Sequence, residues 1–171
     1  MIKLTDLLET YNGKYTIYCD LDGVLCDFDE QFKKASNGIH PRQFEDKYGT
    51  PRFWSLVIGK GIQFWENMPW TSDGQKLWNA IKNYKPIILT AIPQGNKETT
   101  SNGKQNWVKH NLGQNVKVII GRAKDKQQYA NATSILIDDR EKNIMQWEAA
   151  GGIGILHTNA NSSIASLNKL K

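Results

Sequence analysis

The sequence predicts an α/β protein built on a doubly wound parallel sheet. Short apolar runs rich in β-branched residues recur along the 171 residues, and each run is typical of a buried strand. Segments with helical periodicity separate these runs, and strands that alternate with helices form parallel sheets. Three of the runs also end in side chains that carry oxygen atoms. Because ligands bind outside the carboxyl ends of such strands, these observations predict both the fold class and the edge that carries a site.

The first strand is predicted over residues 15–19, where an aromatic and β-branched run ends in two carboxylates. Asp20 and Asp22 follow it one residue apart, and Gly23 comes next. A glycine lets the chain turn away steeply and keeps the space above the carboxylates free of a side chain. The sequence therefore predicts a site at the end of this strand, provided that other strands bring partners to it.

Two later strands end in the same way. Residues 86–89 run into Thr90, and residues 134–137 run into Asp138 and Asp139. The carboxyl ends of parallel strands meet at one edge of a sheet, so these side chains are expected beside the two carboxylates of the first strand. Four crowded carboxylates repel one another and imply a bound cation. An all-oxygen set of ligands suits Mg²⁺ better than zinc.

The remaining elements follow from apolar periodicity and from capping residues. Helices are predicted over residues 3–11, about 73–84, from Ser101 to a stop at Gly113, over 141–150 and around 164–170. Strands are predicted over 116–120 and 153–156, with a short helical turn through Tyr129 between them. Ser72 and Asp73 are expected to cap the second of these helices, and Met145 is expected to pack inward from the fourth.

The segment 25–72 lacks a strand pattern and contains three of the five prolines, so it is predicted to be a small helical cap inserted after the first strand. Residues 1–24 and 73–171 then form the core domain. All five phenylalanines lie in the cap segment, together with several other aromatic residues. A cap of this size needs bulky side chains to form a core, and most of these rings are expected to serve that purpose.

Four short motifs, taken in order, resemble those of the haloacid dehalogenase superfamily of phosphatases. They are Asp-Leu-Asp-Gly-Val-Leu at 20–25, Leu-Thr at 89–90, a downstream lysine, and Leu-Ile-Asp-Asp-Arg at 136–140. The resemblance implies a Rossmann-like fold and the Mg²⁺-dependent hydrolysis of a phosphate monoester through an aspartyl-phosphate intermediate.

Within this superfamily, the sequence most resembles the 5'(3')-deoxyribonucleotidases. The signals are Asp-Phe at 27–28, Phe-Trp at 53–54, Lys104 followed by Trp-Val-Lys at 107–109, and the Ile-Asp-Asp-Arg run. The resemblance implies a small phosphorylated substrate, namely a deoxyribonucleoside or ribonucleoside monophosphate.

The candidate substrate pocket is formed by aromatic side chains of the cap. The resemblance implies that Phe28, Phe53 and Trp54 border the base and the sugar of the nucleotide, and Trp65 is a further candidate. Stacking on a base contributes about 1–3 kcal/mol per ring. The alternative is that these rings only form the core of the cap.

The resemblance also assigns roles to the carboxylates at the strand ends. Asp20 attacks phosphorus, and Asp22 protonates the departing alcohol and then acts as a base on the water that hydrolyses the intermediate. Asp20, Asp138 and Asp139 hold Mg²⁺, and the backbone carbonyl of Asp22 is a further ligand in the proteins that the sequence resembles.

The phosphate is expected to contact the Thr90 hydroxyl and the Ala91 amide. A lysine must offset the crowded negative charge. Lys126 is the first candidate, because a short helical turn separates it from the last motif, while Lys124 and Lys104 remain alternatives. Relatives often carry serine at the position of Ala91, so one phosphate contact is expected to be missing.

Composition and charge exclude some classes of protein. The net charge of +5 favours phosphorylated substrates and equally a solvated surface, and the basic residues are too scattered to predict a nucleic-acid partner. No apolar stretch approaches the roughly 20 residues that a membrane span needs, and the first residues lack the apolar core of a signal peptide. Cys19 and Cys26 show no metal-binding or disulfide pattern. We therefore expect a cytoplasmic protein.

Two other functions stay open. One is the same chemistry on another small phosphomonoester or on the terminal phosphate of a nucleic acid. The other is a protein that binds a phosphorylated ligand without catalysis, against which Asp22 argues because binding alone has no use for an acid/base group. A homodimer also stays open.

Overall fold

The computed structural model describes residues 14–93 and 95–170, so the helix predicted over 3–11 lies outside the described residues. Within them, five parallel strands form one sheet in the order β3-β2-β1-β4-β5. The strands are β1 Thr16–Cys19, β2 Ile87–Ala91, β3 Val118–Gly121, β4 Ser134–Asp138 and β5 Ile153–Leu156. The chain adds two strands on one side of β1 and then returns to add two on the other. This order confirms the doubly wound parallel sheet, and its switch point lies at β1.

Eight α-helices connect and flank the strands over the described residues. Four lie between β1 and the crossover to β2: α1 Phe28–Ala35, α2 Pro41–Tyr48, α3 Thr50–Gly59 and α4 Ile62–Glu66. The others are α5 Gly74–Ile81, α6 Lys97–Asn111, α7 Glu141–Ala149 and α8 Ala160–Asn168, with 3₁₀ helices over Lys82–Tyr84 and Ala123–Tyr129. In the described ranges, no helix has both the length and the apolar character that crossing a membrane requires.

Alternate strand residues face opposite sides of the sheet, as the two-residue period of a strand requires. Ile17, Ile88 and Ile135 belong to one hydrophobic cluster, which continues into α5, α6 and α8. Leu136 belongs to a second cluster that includes the fully buried Trp147 of α7. Both faces of the sheet are therefore covered, which is why its strands are apolar throughout rather than alternating.

The insert formed by α1–α4 shares the larger of these clusters with the core. Phe32, Phe53 and Phe64 are buried and belong to the same cluster as Ile17 of β1. The rings of Phe32 and Phe53 stack with their centroids 4.5 Å apart. The segment 25–72 is helical as predicted, whereas its status as a separate cap domain stays a prediction.

Three local predictions differ from the structure. Helix α6 begins at Lys97 rather than at Ser101. Asp73 precedes α5 without capping it, and its Oδ2 atom instead accepts a hydrogen bond from the N–H of Ala160 at 2.6 Å, at the start of α8. Met145 is 63% exposed, because neighbouring positions of α7 already fill the face that packs on the sheet.

Candidate active site

The loop after β1 holds Asp20 and Asp22 at the carboxyl edge of the sheet. The Asp20 N–H donates to the Ile137 carbonyl of β4 at 2.9 Å, so this residue continues the pairing of the two strands. The chain then turns tightly, since the N–H groups of Leu25 and Cys26 both donate to the Leu21 carbonyl, at 2.9 and 3.0 Å. The side chains of Leu21, Leu25 and Cys26 are fully buried. The apolar residues of the motif thus anchor the loop, with Asp20 buried and Asp22 half-buried at the carboxyl edge of the sheet.

Gly23 meets two separate requirements in this loop. Its φ of +78° lies in the left-handed region that favours glycine, and a Cβ atom built there would overlap the carboxylate of Asp139. The loop can therefore approach the end of β4 only because this position lacks a side chain. The sequence predicted open space here above Asp20 and Asp22, whereas in the structure the carboxylate of Asp139 occupies it.

Three carboxylates meet at the switch point. Asp20, Asp138 and Asp139 each offer one oxygen, and these atoms lie within 4.8 Å of one another. Loss of hydration and the charges of Asp20 and Asp138 raise the pKa of Asp139 to about 7, although its side chain stays exposed at the cleft. Burial and the charge of Asp20 also raise the pKa of Asp138. The excess of negative charge in this cluster favours a cation.

Lys126 is the cation that the chain itself brings to these carboxylates. Its Nζ atom lies 3.0 Å from Oδ1 of Asp20 and 2.6 Å from Oδ2 of Asp138, and the side chain is only 4% exposed. Burial opposes the ammonium charge, but the two carboxylates outweigh it and raise the pKa of Lys126. Lys126 therefore stays charged between the ends of β1 and β4. Its role as the lysine of the third motif stays a prediction, and its contacts with Asp20 and Asp138 are compatible with that role.

The two aspartates of the last motif differ in burial and in the hydrogen bonds that their side chains accept. Asp138 is fully buried, and its oxygens accept hydrogen bonds from Lys126, from the Arg140 N–H at 2.9 Å and from Nδ2 of Asn143 at 3.0 Å to each oxygen. Asp139 has no side-chain donor within hydrogen-bonding distance among the described residues. Asp139 is thus the carboxylate whose oxygen atoms are most available to bind an added cation.

Lys104 occupies a second position beside the motif residues. It lies in α6 and is 1% exposed, and its Nζ atom lies 2.5 Å from Oδ2 of Asp22. The same atom donates to the Thr90 hydroxyl oxygen at 3.1 Å and to the Ala91 carbonyl at 2.5 Å. On the other side of Asp22, the thiol of Cys26 lies 3.5 Å from Oδ1. Asp22 is therefore held from both sides, and Lys104 ties it to the end of β2.

A cleft of about 980 Å³ opens above these groups, between the sheet edge and the insert. All four aromatic residues predicted for the pocket line it, namely Phe28, Phe53, Trp54 and Trp65. Phe53 and Trp65 are buried, whereas Phe28 and Trp54 are half-buried. Phe28 contributes to the core of the insert as well, since its centroid lies 5.4 Å from that of Phe64. These rings therefore serve the core and the cleft wall together.

The remaining predicted residues are placed as follows. Thr90 is buried beneath the cleft beside Lys104, and Ala91 lines the cleft. Lys124 is exposed at the rim and contacts neither Asp20 nor Asp138 among the described ion pairs. Sequence analysis did not predict Asn143. The available signal was that a polar residue lies on the inward face of α7, one turn after the last motif.

Comparison with known proteins identifies the fold. The sequence matches no protein-family model and no curated protein. The structure is similar to that of a hydrolase from Streptococcus pneumoniae TIGR4, with a TM-score of 0.51 and 17% identity over 92% of this chain and 98% of the hydrolase. It is similar also to a Had-superfamily hydrolase from Ehrlichia chaffeensis, with a TM-score of 0.51 and 13% identity over 91% of this chain and 96% of that hydrolase. The chain therefore has the fold of a Had-superfamily hydrolase. At these identities the likeness establishes the fold alone, and the chemistry has to be argued from the site.

Proposed function

We propose that this protein is a Mg²⁺-dependent phosphomonoesterase that hydrolyses nucleoside monophosphates, in the manner of a 5'(3')-deoxyribonucleotidase, through an aspartyl-phosphate on Asp20. The observation that carries the proposal is the arrangement of Asp20. Its Oδ1 atom accepts a hydrogen bond from the Leu21 N–H at 2.8 Å and contacts Lys126, while Oδ2 has no partner in the described part of the chain. One oxygen is thus held and the other is free to attack phosphorus.

The proposed reaction uses two further groups of this chain. As Oδ2 of Asp20 forms its bond to phosphorus, the bond from phosphorus to the ester oxygen breaks, and Asp22 gives its proton to the departing alcohol. Asp22 then takes a proton from the water that attacks the aspartyl-phosphate, which releases phosphate and restores Asp20. Lys126, Lys104 and the Thr90 hydroxyl supply positive charge and a donor to the phosphate oxygens.

The residues at the switch point fit a magnesium ion. Asp20, Asp138 and Asp139 provide three carboxylates within 4.8 Å, and Lys126 offsets only one of their negative charges. Oxygen ligands of this kind suit Mg²⁺. When bound, the ion would withdraw charge from the phosphate oxygens. Asp139 would hold it together with Asp20, through the oxygen of Asp20 that does not attack phosphorus, and Asp138 would contribute from a carboxylate that Asn143 and Lys126 already orient.

The proposed substrate class is supported by the walls of the cleft. The half-buried rings of Phe28 and Trp54 offer flat apolar surface above the carboxylates, on which a nucleobase can stack. The volume of about 980 Å³ is at the upper end of the roughly 300–1,000 Å³ that is typical of ligand pockets. A base and a sugar therefore have room beside the phosphate.

The test is phosphate release from a panel of 5'- and 3'-deoxyribonucleotides, ribonucleotides and sugar phosphates, with Mg²⁺ and then with a chelator. We expect release from nucleotides that the chelator abolishes. Asp20→Asn is expected to lose at least about 1,000-fold in kcat, because it lacks the nucleophile. Asp46→Asn is the matched control, since Asp46 is exposed on α2 and does not line the cleft.

Three results would contradict the proposal in different ways. Release from sugar phosphates alone would reject the nucleotide as substrate. Full activity in the chelator would reject the magnesium requirement. Equal activity of Asp20→Asn and Asp46→Asn would reject Asp20 as the nucleophile. A circular dichroism spectrum of each variant, matched to the unaltered protein, excludes unfolding as the cause of any loss.

A further inference from the structure

Three basic side chains lie at the rim of the cleft. Arg42 lies at the start of α2 in the insert, Lys124 follows β3, and Arg140 follows β4. All three are exposed and line the cleft. Over the described ranges, none of their side chains takes part in an ion pair or a hydrogen bond. They reach the cleft from the insert and from the sheet edge, the two parts of the fold that form its walls.

The other basic residues of the cleft are already engaged. Lys126 binds Asp20 and Asp138, and Lys104 binds Asp22, as described above. Arg122 donates to Asp125 at 2.6 Å from Nε. The buried lysines therefore lie beside the proposed catalytic aspartates, where the scissile phosphate would bind. The three rim cations are not needed for that phosphate.

The acidic residues on the insert side of the cleft keep their charges, but within the described ranges none of them forms an ion pair with Arg42, Lys124 or Arg140. Asp27 accepts a hydrogen bond from the Glu30 N–H at 2.9 Å and so caps α1. Glu45 accepts a hydrogen bond from the Thr50 hydroxyl at 2.7 Å. Asp29 is engaged with a histidine that precedes Arg42. The positive charge of the rim is thus available to a ligand.

The position of Arg42 is fixed by its neighbours. Nδ1 of His40 accepts a hydrogen bond from the Arg42 N–H at 3.3 Å, and Nε2 of the same ring lies 3.3 Å from Oδ2 of Asp29 in α1. Pro41, at the first position of α2, is buried. The start of α2 is therefore tied to α1, and the guanidinium of Arg42 projects from an anchored backbone.

We propose that Arg42, Lys124 and Arg140 bind a second phosphate group of the substrate, so that the preferred substrate is a nucleoside 3',5'-bisphosphate. This inference rests on the proposed function, since it adds a second anion to the same nucleotide. A guanidinium binds phosphate oxygens through paired hydrogen bonds, and a lysine adds a point charge. Both phosphates of a bisphosphate are monoesters, so either can be the group that Asp20 attacks. A nucleoside diphosphate differs, because its terminal phosphate is an anhydride.

The experiment compares kcat/KM for a deoxynucleoside 3',5'-bisphosphate with kcat/KM for the matching 5'- and 3'-monophosphates, at constant ionic strength. We expect the bisphosphate to be preferred by about 10-fold or more, the scale of a charge-assisted hydrogen bond. Arg42→Ala should lose most of this preference, and Arg42→Lys should keep part of it. Lys47→Ala is the matched control, since Lys47 lies on the same helix, is exposed and does not line the cleft.

The outcomes separate this inference from the proposed function. Equal kcat/KM for mono- and bisphosphates, or a preference that persists in both Arg42→Ala and Lys124→Ala, would overturn the inference and leave the phosphatase standing. Faster hydrolysis of an oligonucleotide with a terminal phosphate would overturn it in favour of strand ends. If no compound releases phosphate, the proposed function fails. Calorimetric binding of the same compounds to Asp20→Asn then still decides whether the second phosphate strengthens binding.

Discussion

The Nζ atom of Lys104 lies 2.5 Å from Oδ2 of Asp22, a residue 82 positions earlier in the chain. The same ammonium group donates to the Thr90 hydroxyl and to the Ala91 carbonyl, and it lies 5.2 Å from the ring centroid of Trp65. One buried cation therefore joins the loop after β1, the end of β2 and the insert. A cation over an aromatic ring adds attraction when it is shielded from water. We therefore expect the orientation of Asp22, the proposed acid/base group, to depend on this side chain.

Lys104→Gln should lower both activity and stability. The change removes the charged donor of the Asp22 carboxylate and of the Ala91 carbonyl, and hydrogen bonds to charged groups contribute about 1.5–3 kcal/mol. We expect kcat/KM for nucleotides to fall by about 10- to 100-fold, and the free energy of unfolding in urea to fall by about 1–3 kcal/mol. Lys109→Gln removes a charge from the exposed side of the same helix and should change neither quantity. Equal behaviour of the two variants would show that the Lys104 contacts do not matter.

Asn143→Ala should destabilise the end of β4. Nδ2 of Asn143 donates to both oxygens of Asp138, which has no exposed surface and cannot turn to water for a replacement. Each oxygen keeps one other donor, the Arg140 N–H or Lys126, so the change removes hydrogen bonds to a charged group, which costs about 1–3 kcal/mol. We expect a loss of that size in the free energy of unfolding, measured in urea. The control is Lys142→Ala, at the exposed neighbouring position of α7, which should leave stability within about 0.5 kcal/mol. A loss of the same size in both variants would contradict this account.

The sequence predicts the carboxylates of the site well because they lie at strand ends. A buried strand is a short apolar run, and the residue that ends it is visible as the first polar one. Asp20 and Asp138 are placed by this rule alone, and the doubly wound sheet brings them together. The motif resemblance gives the same residues. The local sequence pattern and the tertiary structure therefore indicate the same residues.

The helical partners of those carboxylates are less predictable. Lys104 and Asn143 lie on helices, and their function depends on how each helix is rotated against the sheet. Several residues of one helix could face inward, and composition does not choose among them. Lys104 was therefore only one of three candidate lysines, and Asn143 was not predicted. Asp73 shows the same limit, because its partner lies 87 positions away at the start of α8.

The stability of the cation-free protein should depend on pH through Asp139. The pKa of this carboxyl is about 7 in the folded protein, against a usual value of 3.8. Between these values the folded state binds the proton more tightly than the unfolded state does, so this group lowers the free energy of unfolding as the pH rises from about 4 to about 7. Asp139→Asn lacks the effect.

The measurement is the difference in Tm between Asp139→Asn and the unaltered protein. Circular dichroism gives both Tm values, in a chelator and from pH 4 to pH 8. The Tm of Asp139→Asn should rise relative to the Tm of the unaltered protein as the pH rises through this window, with no further gain in Tm above about pH 8. Added Mg²⁺ should reduce or reverse that gain, because the ion binds the ionised carboxylate. A difference that does not change with pH would show that Asp139 keeps an ordinary pKa.

Gly103→Ala should disturb the contact between α6 and the insert. A Cβ atom at Gly103 would lie 2.5 Å from Cβ of Trp65 and 3.1 Å from the Ile62 carbonyl oxygen, so α4 would have to move away. Overpacking of this kind costs about 1–3 kcal/mol, which outweighs the gain of up to about 1 kcal/mol from replacing glycine by alanine in a helix. We expect a lower free energy of unfolding in urea. We also expect a lower kcat/KM for nucleotides, because Trp65 lines the cleft beside Lys104.

Gly59→Ala is the matched control for this contact. Gly59 is the last residue of α3, and a Cβ atom built there has no neighbouring atom within 4 Å in the described part of the chain. The added methyl group should leave stability unchanged or raise it by up to about 1 kcal/mol, and activity should not change. If Gly103→Ala also gains stability, then α4 and α6 do not approach as closely as the structure places them. Because both variants add the same atom to a helix, the difference between them measures the contact and not the helix propensity.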